Sequence, residues 1–577
     1  MKNELRKFSL MLILLTLSPA VLAETRWSFQ DNGAHKFTLK KYSSINSSYS
    51  DKISVQLTVD ANAPTITKLF YGADFAVNEV YPGANRMREI KIGFIRIGGS
   101  AYDRYDYENS LILEYPFLSE DVPFPTPDIA GRNFSRIRDD VFATQMIRQF
   151  AAEPMLQVNI TGFMPKIVNG RSAFIAVDPA LEAAKFVKKM NGQHKLAVKY
   201  FAISNEPLQW ASTHRDFIAR PLSADEYIDR YVKVVIAMRK AQEEISGNPN
   251  DIRILGPEES QSWNWYQTEA EDDCKTSVEG VRRCSYGKGL VKLPDFLSYF
   301  LYRLNELEKD QTVNPKQYKL LDYFSIHTYP YFRSNYHDRS SFITDRGGEQ
   351  DVERYLKSVD IYHNNTMNTV NYAFPLNRSI GLIPWIKDIV ARYYPKAEVA
   401  ITEFAVDSMA YIDYHPAVYP IFTAELLAIA AKEGVALTSK FLLNGEIYNP
   451  NSHALVTEGN TVTPTFRSYE ILTNHFLGKI LTTKANYEKA KGEDLTSYAT
   501  YNANKKVIAV LVFNRTSENK CATIQLEKRP QEFTSLYSHC FGPWSLTLAN
   551  VPTKESEQEI EFFEYGSTEL NVKKISH

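Results

Sequence analysis

"VKYFAISNEPLQWASTHRD", residues 198–216, runs a strand of Tyr, Phe, Ala and Ile straight into Asn205-Glu206-Pro207. Apolar residues in succession, without alternation, indicate a strand covered on both faces, as in a parallel sheet clad with helices. A carboxylate at the C-terminal end of such a strand, flanked by an amide and a proline and followed by Trp210 and His214, stands where α/β folds place chemistry.

Seven further segments share this texture: residues 67–75, 92–100, 154–160, 252–260, 321–330, 398–405 and 437–446. Helical periodicity falls between them, in "SRIRDDVFATQMIRQFAA", "LEAAKFVKKMN", "ADEYIDRYVKVVIAMRKAQEE", "LPDFLSYFLYRLNELEK" and "GLIPWIKDIVARYY". A last helix, "PTFRSYEILTNHFLG", follows the eighth strand with Phe466, Tyr469 and Leu472 on one face. Eight strands alternating with helices predict a closed (β/α)8 TIM barrel; a doubly wound open sheet is the alternative. Polar residues gathered at strand C-terminal ends along the whole series favour the barrel.

The flanks read differently. "KISVQLTV" before the barrel and "KVIAVLVFN", "ATIQL", "WSLTLA" and "EIEFFEY" after it are strand-forming. The expected organisation is a signal peptide over 1–23, N-terminal strands over 24–65 joining a β-domain, the catalytic barrel over 66–479, and an antiparallel β-sandwich over 480–577. The signal reading rests on a basic start, an apolar run too short to span a bilayer, and small residues at Val21 and Ala23. Cleavage near Ala23 would give a secreted protein, and no later apolar run reaches spanning length.

An exported chain suits disulfides, and the local pairs Cys274–Cys284 and Cys521–Cys540 are the simplest of three connectivities. Neither pair has the close spacing or neighbouring His of a metal site. With 66 Lys+Arg against 68 Asp+Glu, charge gives no reason to expect nucleic acid or a membrane surface as partner. A monomer is expected.

The strand ends supply candidate chemistry. They carry Arg96, Asn159, Asn205 with Glu206, His327 with Tyr329, Glu403 in "AITEFAV", and Asn444 with Glu446. Glutamates on the fourth and seventh strands face each other across a barrel mouth and can flank a glycosidic bond, one protonating the leaving oxygen and one attacking the anomeric carbon. Arg96 and Tyr329 suit the environment of an ionised carboxylate, Asn205 suits a sugar 2-hydroxyl, and His327 suits an orienting role. Trp210, Trp263 and Trp265 lie in the loops after strands four and five, where rings can stack on sugars or simply pack. Tyr102, Tyr105 and Tyr107 are placed in a long loop near the cleft. Glu446 reads as structural or a rim residue.

The stretches "FYGADF", "IRIGGSAYDRYDYE", "VKYFAISNEPLQWASTHRD", "ILGPE", "DYFSIHTYP" and "VAITEF" stand in an order that resembles clan A glycoside hydrolases, more narrowly glycoside hydrolase family 44, the endoglucanases and xyloglucanases. The resemblance covers about residues 70 to 405. It implies Glu206 as acid/base and Glu403 as nucleophile, with Arg96, Asn205, His327 and Tyr329 around them. It implies a β-glucan polysaccharide substrate. Two carboxylates and water require no organic cofactor and no catalytic metal, and leave a structural calcium open. A xylanase or other clan A β-glycosidase, and a non-catalytic carbohydrate-binding protein, are the rival readings.

Overall fold

The computed structural model describes residues 26–28, 33–40, 49–75, 83–113, 134–136, 140–169, 171–214, 217–260, 268, 270, 274–276, 282–287, 292–329, 349–363, 380–406, 415–445, 453–457, 460–486, 494–529, 532–553, 559–566 and 573–575. Eight parallel strands close a barrel: β1 (Tyr71–Phe75), β2 (Phe94–Ile97), β3 (Glu153–Val158), β4 (Tyr200–Ile203), β5 (Arg253–Glu259), β6 (Tyr323–Thr328), β7 (Glu398–Phe404) and β8 (Leu437–Lys440). Each predicted strand overlaps an observed one, and seven contain theirs whole; β3 begins one residue before its segment, at Glu153. The eighth is shorter than its segment, because the chain leaves the barrel at Phe441 and residues 444–445 pair instead with 456–457.

Helices separate the strands: α1 (Ala84–Ile90), α2 (Asp140–Gln149), α3 (Pro179–Val187), α4 (Ala224–Ser246), α5 (Phe296–Lys309), α6 (Glu349–Lys357), α7 (Leu382–Tyr393), α8 (Val418–Lys432) and α9 (Pro464–His475). Their ends follow local rules. Ser223 and Glu226 form a reciprocal capping box at the start of α4, and Gly247 ends it in the left-handed conformation with φ +78°. Inside the barrel, Phe94, Met155, Tyr200, Ala202, Leu255, Ala400 and Leu437 form a packed floor. Gly256, next in β5 after Leu255, faces outward to α4, where a Cβ would lie 2.7 Å from the Tyr231 ring.

The C-terminal strands form a sandwich. A seven-stranded sheet contains residues 35–40, 559–566, 545–552, 507–514, 495–502, 478–481 and 65–66. A four-stranded sheet contains 483–486, 52–56, 520–529 and 532–541. Strand Val507–Asn514 explains why "VIAVLVF" is apolar throughout. Ile508, Val510 and Val512 enter the sandwich core, while Ala509, Leu511 and Phe513 join the core of the barrel and its helices. A sheet buried on both faces loses the alternation of a half-wet strand. Cys521 and Cys540 are bonded between neighbouring strands of the four-stranded sheet, with Cα atoms 3.9 Å apart. The backbone register sets Cys274 opposite Cys284 in a short hairpin. Among the described residues no helix is long and apolar enough to cross a membrane.

Candidate active site

At the C-terminal mouth, β4, β6 and β7 deliver Glu206, His327 and Glu403 to one point. One ligand atom of each lies within 4.8 Å of the other two. A bulge in the β6–β7 ladder at Ile326/His327 sets His327 directly opposite Glu403, the local re-aiming for which bulges are used. Glu206 leaves its strand in the left-handed region at φ +44°, a conformation that costs a non-glycine residue on the order of 1 kcal/mol or more. The Glu206 side chain is 17% exposed and that of Glu403 10%, against 0% for His327.

Arg96 is fully buried at the centre. Its Nη1 is 3.0 Å from Glu403 Oε2, its Nη2 donates to Asn205 Oδ1 at 2.7 Å, and its Nε donates to Glu258 Oε2 at 3.2 Å. Glu403 also accepts the Tyr329 hydroxyl. His327 Nδ1 lies 3.0 Å from Glu206 Oε1 and 3.6 Å from Glu403 Oε2.

These neighbours divide the carboxyls. Burial, reinforced by the charge of Glu403, raises the proton affinity of Glu206 against the opposing pull of His327 and Arg96. Asp74 at the end of β1 is raised to about 8 by burial and Glu403, despite Arg96 at 3.6 Å. Burial and Glu206 together hold Glu259 well above the carboxylate range. Glu258 goes the other way. Burial would raise it, but His327 and Arg96 prevail and hold it low. For His327, burial is overcome by Glu403, Glu206 and Glu258, which lift it to about 10 and keep the ring cationic at neutral pH.

Among the described residues, Glu206, His327 and Glu403 are the one group of His, Cys, Asp or Glu side chains close enough to share a metal ion. The guanidinium of Arg96 already supplies positive charge 3.0 Å from Glu403, and the cationic imidazole of His327 opposes a second cation. The trio is therefore read as an acid–base cluster.

Other predicted residues are placed elsewhere. Trp210 does not wall the cleft. Its ring is 1% exposed, and its Nε1 donates to Asp103 Oδ2 and to the Asn205 carbonyl, both at 3.0 Å. Both faces are occupied by protein, so the indole supports the loop from below. Asn159 is spent on its own turn, accepting from Thr161 N at 3.0 Å and donating to the Phe163 carbonyl at 3.0 Å. Tyr102, Tyr105 and Tyr107 are core residues at 1–5% exposure rather than cleft residues. Trp263, Trp265 and Glu446 lie outside the described residues.

Glu258 and Asp74 are the residues missed. Both sit at barrel strand ends, in "ILGPE" and "FYGADF", so the rule that found Glu206 and Glu403 applied to them too. A hollow of about 360 Å³ bordered by Arg253, Tyr318, Lys319 and Lys396 lies at the opposite end of the strands. Its cations are paired with Asp322 and Glu308.

Residues 157–332, which carry β4, β5 and β6, match the model of glycoside hydrolase family 44. No curated protein matches the chain in sequence. Solved structures share its fold at low identity. The bifunctional glucanase-xylanase CelM2 from a metagenome library is 17% identical with a TM-score of 0.60, covering 90% of this chain and 99% of its own. The Paenibacillus polymyxa xyloglucanase of family 44 is 15% identical with a TM-score of 0.60 over the same shares. The Clostridium thermocellum endoglucanase Cel44A is 16% identical with a TM-score of 0.57, covering 89% of this chain and 99% of its own. With the matched segment supplying three adjacent strands of its barrel and one of the two facing glutamates, the chain is a glycoside hydrolase resembling family 44.

Proposed function

We propose that the protein is a secreted, retaining endo-β-1,4-glucanase of the cellulase or xyloglucanase type. The observation that carries the mechanism is the closeness of Glu206 and Glu403, whose nearest oxygens lie within 4.8 Å. Retaining enzymes hold their carboxyls about 5–5.5 Å apart, whereas inverting enzymes need about 6.5–9.5 Å to admit a water between acid and base.

In the first step Glu206, its proton retained by burial, protonates the glycosidic oxygen while a carboxylate oxygen of Glu403 attacks the anomeric carbon. The leaving glucan takes the proton and a glycosyl ester forms on Glu403. Glu206, now a carboxylate, takes a proton from water, and that water cleaves the ester. Arg96 and the Tyr329 hydroxyl orient the nucleophile. Asn205, fixed by Arg96 and 3.3 Å from Ser100 Oγ, would hold the sugar 2-hydroxyl.

The substrate reading is supported by the solved structures of like fold, which their descriptions call glucanase-xylanase, xyloglucanase and endoglucanase. The Cys521–Cys540 bond fits an exported protein. Reducing-sugar release from carboxymethylcellulose, xyloglucan, mixed-linkage glucan, mannan and xylan is the test. Release from glucans, lowered by about 10³-fold or more in Glu206→Gln and Glu403→Gln, is expected. Release from xylan alone would select a xylanase. Binding without release would select a carbohydrate-binding protein.

A further inference from the structure

Glu258 is the last residue but one of β5, its side chain fully buried, and the two-carboxylate reaction gives it no task. It touches Arg96, His327, Thr402 and the main chain of Glu206. Oε2 accepts Arg96 Nε at 3.2 Å and lies 3.3 Å from His327 Nε2. Oε1 accepts the hydroxyl of Thr402, the neighbour of Glu403, at 3.0 Å. Its carbonyl accepts the main-chain N–H of Glu206 at 2.9 Å. Glu258 and Glu206 are both non-glycine residues in the left-handed region, at φ +58° and +44°. Two such residues joined by a hydrogen bond are held there by their surroundings, and strain of this kind gathers at functional sites.

The bonds made by its partners define what Glu258 does. An imidazole held at one nitrogen can rotate; held at both, it presents a fixed N–H. His327 Nε2 lies 3.3 Å from Glu258 Oε2 and 3.3 Å from Arg96 Nη2, the carboxylate being the partner that accepts its proton, and Nδ1 faces Glu206 Oε1 at 3.0 Å. A cationic ring donates from Nδ1 to Oε1, which leaves the Glu206 proton on Oε2, the oxygen free to meet a substrate. Arg96, held at Nε, points Nη1 at Glu403 and Nη2 at Asn205.

We propose that Glu258 is a positioning residue for hydrolysis, orienting Glu206 through His327 and Glu403 through Arg96. The proposal rests on the reading of Glu206 as acid/base and Glu403 as nucleophile. When Glu206 gives its proton to the leaving oxygen, the new carboxylate is met by a donor already in place. The Nδ1 proton stays on His327 throughout, so no additional base is required. The groups that face His327 and Glu206 across this cluster are Arg96, Asp74, Glu258, Glu259, Tyr329 and Glu403.

The test compares wild type, Glu258→Gln and Glu258→Asp as full-length proteins, each checked for folding by thermal melt. The first readout needs no turnover: the titration midpoint of His327 by NMR of labelled histidine, assigned with His327→Gln. Glu258→Gln removes one of the carboxylates that keep the ring charged, so the midpoint is expected to fall by about one pH unit or more. Glu258→Asp retains the charge and is expected to keep it within about half a unit. The second readout is kinetic, on the polysaccharide that the wild type cleaves. Glu258→Gln is expected to lower kcat by about 10- to 100-fold with KM within about twofold. The basic limb of its pH profile is expected to move upward, because a ring no longer held by the Glu258 carboxylate aims its Nδ1 proton less firmly at Glu206 Oε1, and that donor favours the charged form of Glu206.

Wild-type values for both the His327 midpoint and the basic limb in Glu258→Gln would overturn the proposal, even if kcat fell. Full activity in Glu206→Gln or Glu403→Gln would instead overturn the assignment of the two carboxylates, and the His327 midpoint would still judge Glu258. If Glu258→Gln does not fold, Glu258→Asp decides alone. One methylene shorter, it is expected to lose about tenfold in kcat at constant KM, and a wild-type kcat would sink the idea.

Discussion

Single side chains here work by deciding where protons sit. His327 is lifted to about 10 from an ordinary 6.5. A group whose folded value is raised contributes stability that is fully present below its unfolded value and lost as pH rises through the folded one. The melting temperature of the wild type relative to His327→Gln should therefore decline as pH rises from about 6.5 to 10. Taking that difference cancels Lys440, lowered to about 7 by burial, while Asp74, raised to about 8 and itself pulled down by His327, contributes to the difference in the same window. A difference that is flat across this range would contradict the cationic His327. Tyr329 gives a second case. Its hydroxyl bonds Glu403 directly, so Tyr329→Phe should lower kcat/KM by about 10- to 100-fold without unfolding the protein, as loss of one oriented donor does.

Elements hold these residues by tying one loop to another. Asp103, in the loop after β2, is buried with both oxygens engaged: Oδ1 accepts Gln157 Nε2 at 2.9 Å, and Oδ2 accepts Trp210 Nε1 at 3.0 Å, with His214 Nε2 at 3.3 Å. Trp210 belongs to the loop after β4, so Asp103 locks the segment that carries Asn205 and Glu206. Trp210→Phe keeps an aromatic ring but removes the N–H and part of the buried indole. It should cost about 1–3 kcal/mol in urea unfolding, since a buried acceptor loses a donor, and leave KM near wild type. A ring stacked on substrate would do the reverse, raising KM at unchanged stability.

At the scale of the molecule, the sandwich and the barrel are joined by buried charge. Arg515, in the turn after strand Val507–Asn514, is 0% exposed and donates to Glu425 of α8 at 2.6 and 2.9 Å and to Asp360 at 2.6 and 2.9 Å. Removing one member of such a network leaves buried charge unpaired, typically at about 3–5 kcal/mol. Arg515→Met should therefore lower the melting temperature strongly. Glu425 with Asp360 both made neutral in the same background should recover part of the loss, which a melt of the triple variant measures. Recovery of nothing would mean that the contact is packing rather than charge.

The eight barrel strands, most of the helices between them and the facing pair Glu206 and Glu403 could be read from the chain alone. Strand length, apolar runs and a polar residue at each strand end are local signals, and the barrel repeats them eight times. Helix α8 was not legible for a physical reason: Val418 to Ala431 is buried all round between barrel and sandwich, so it has no polar face to mark a period. The same burial on both sides hid the division of strand Val507–Asn514 between two cores. Trp210 shows the limit most plainly. A tryptophan four residues past Glu206 reads alike whether it faces sugar or Asp103, because direction is set by packing and not by spacing. The sequence by itself determined which strands form and which residues end them; only the tertiary structure decided which of those residues meet, because Arg96, Glu258, His327 and Glu403 lie far apart in the chain and are joined solely by closure of the barrel.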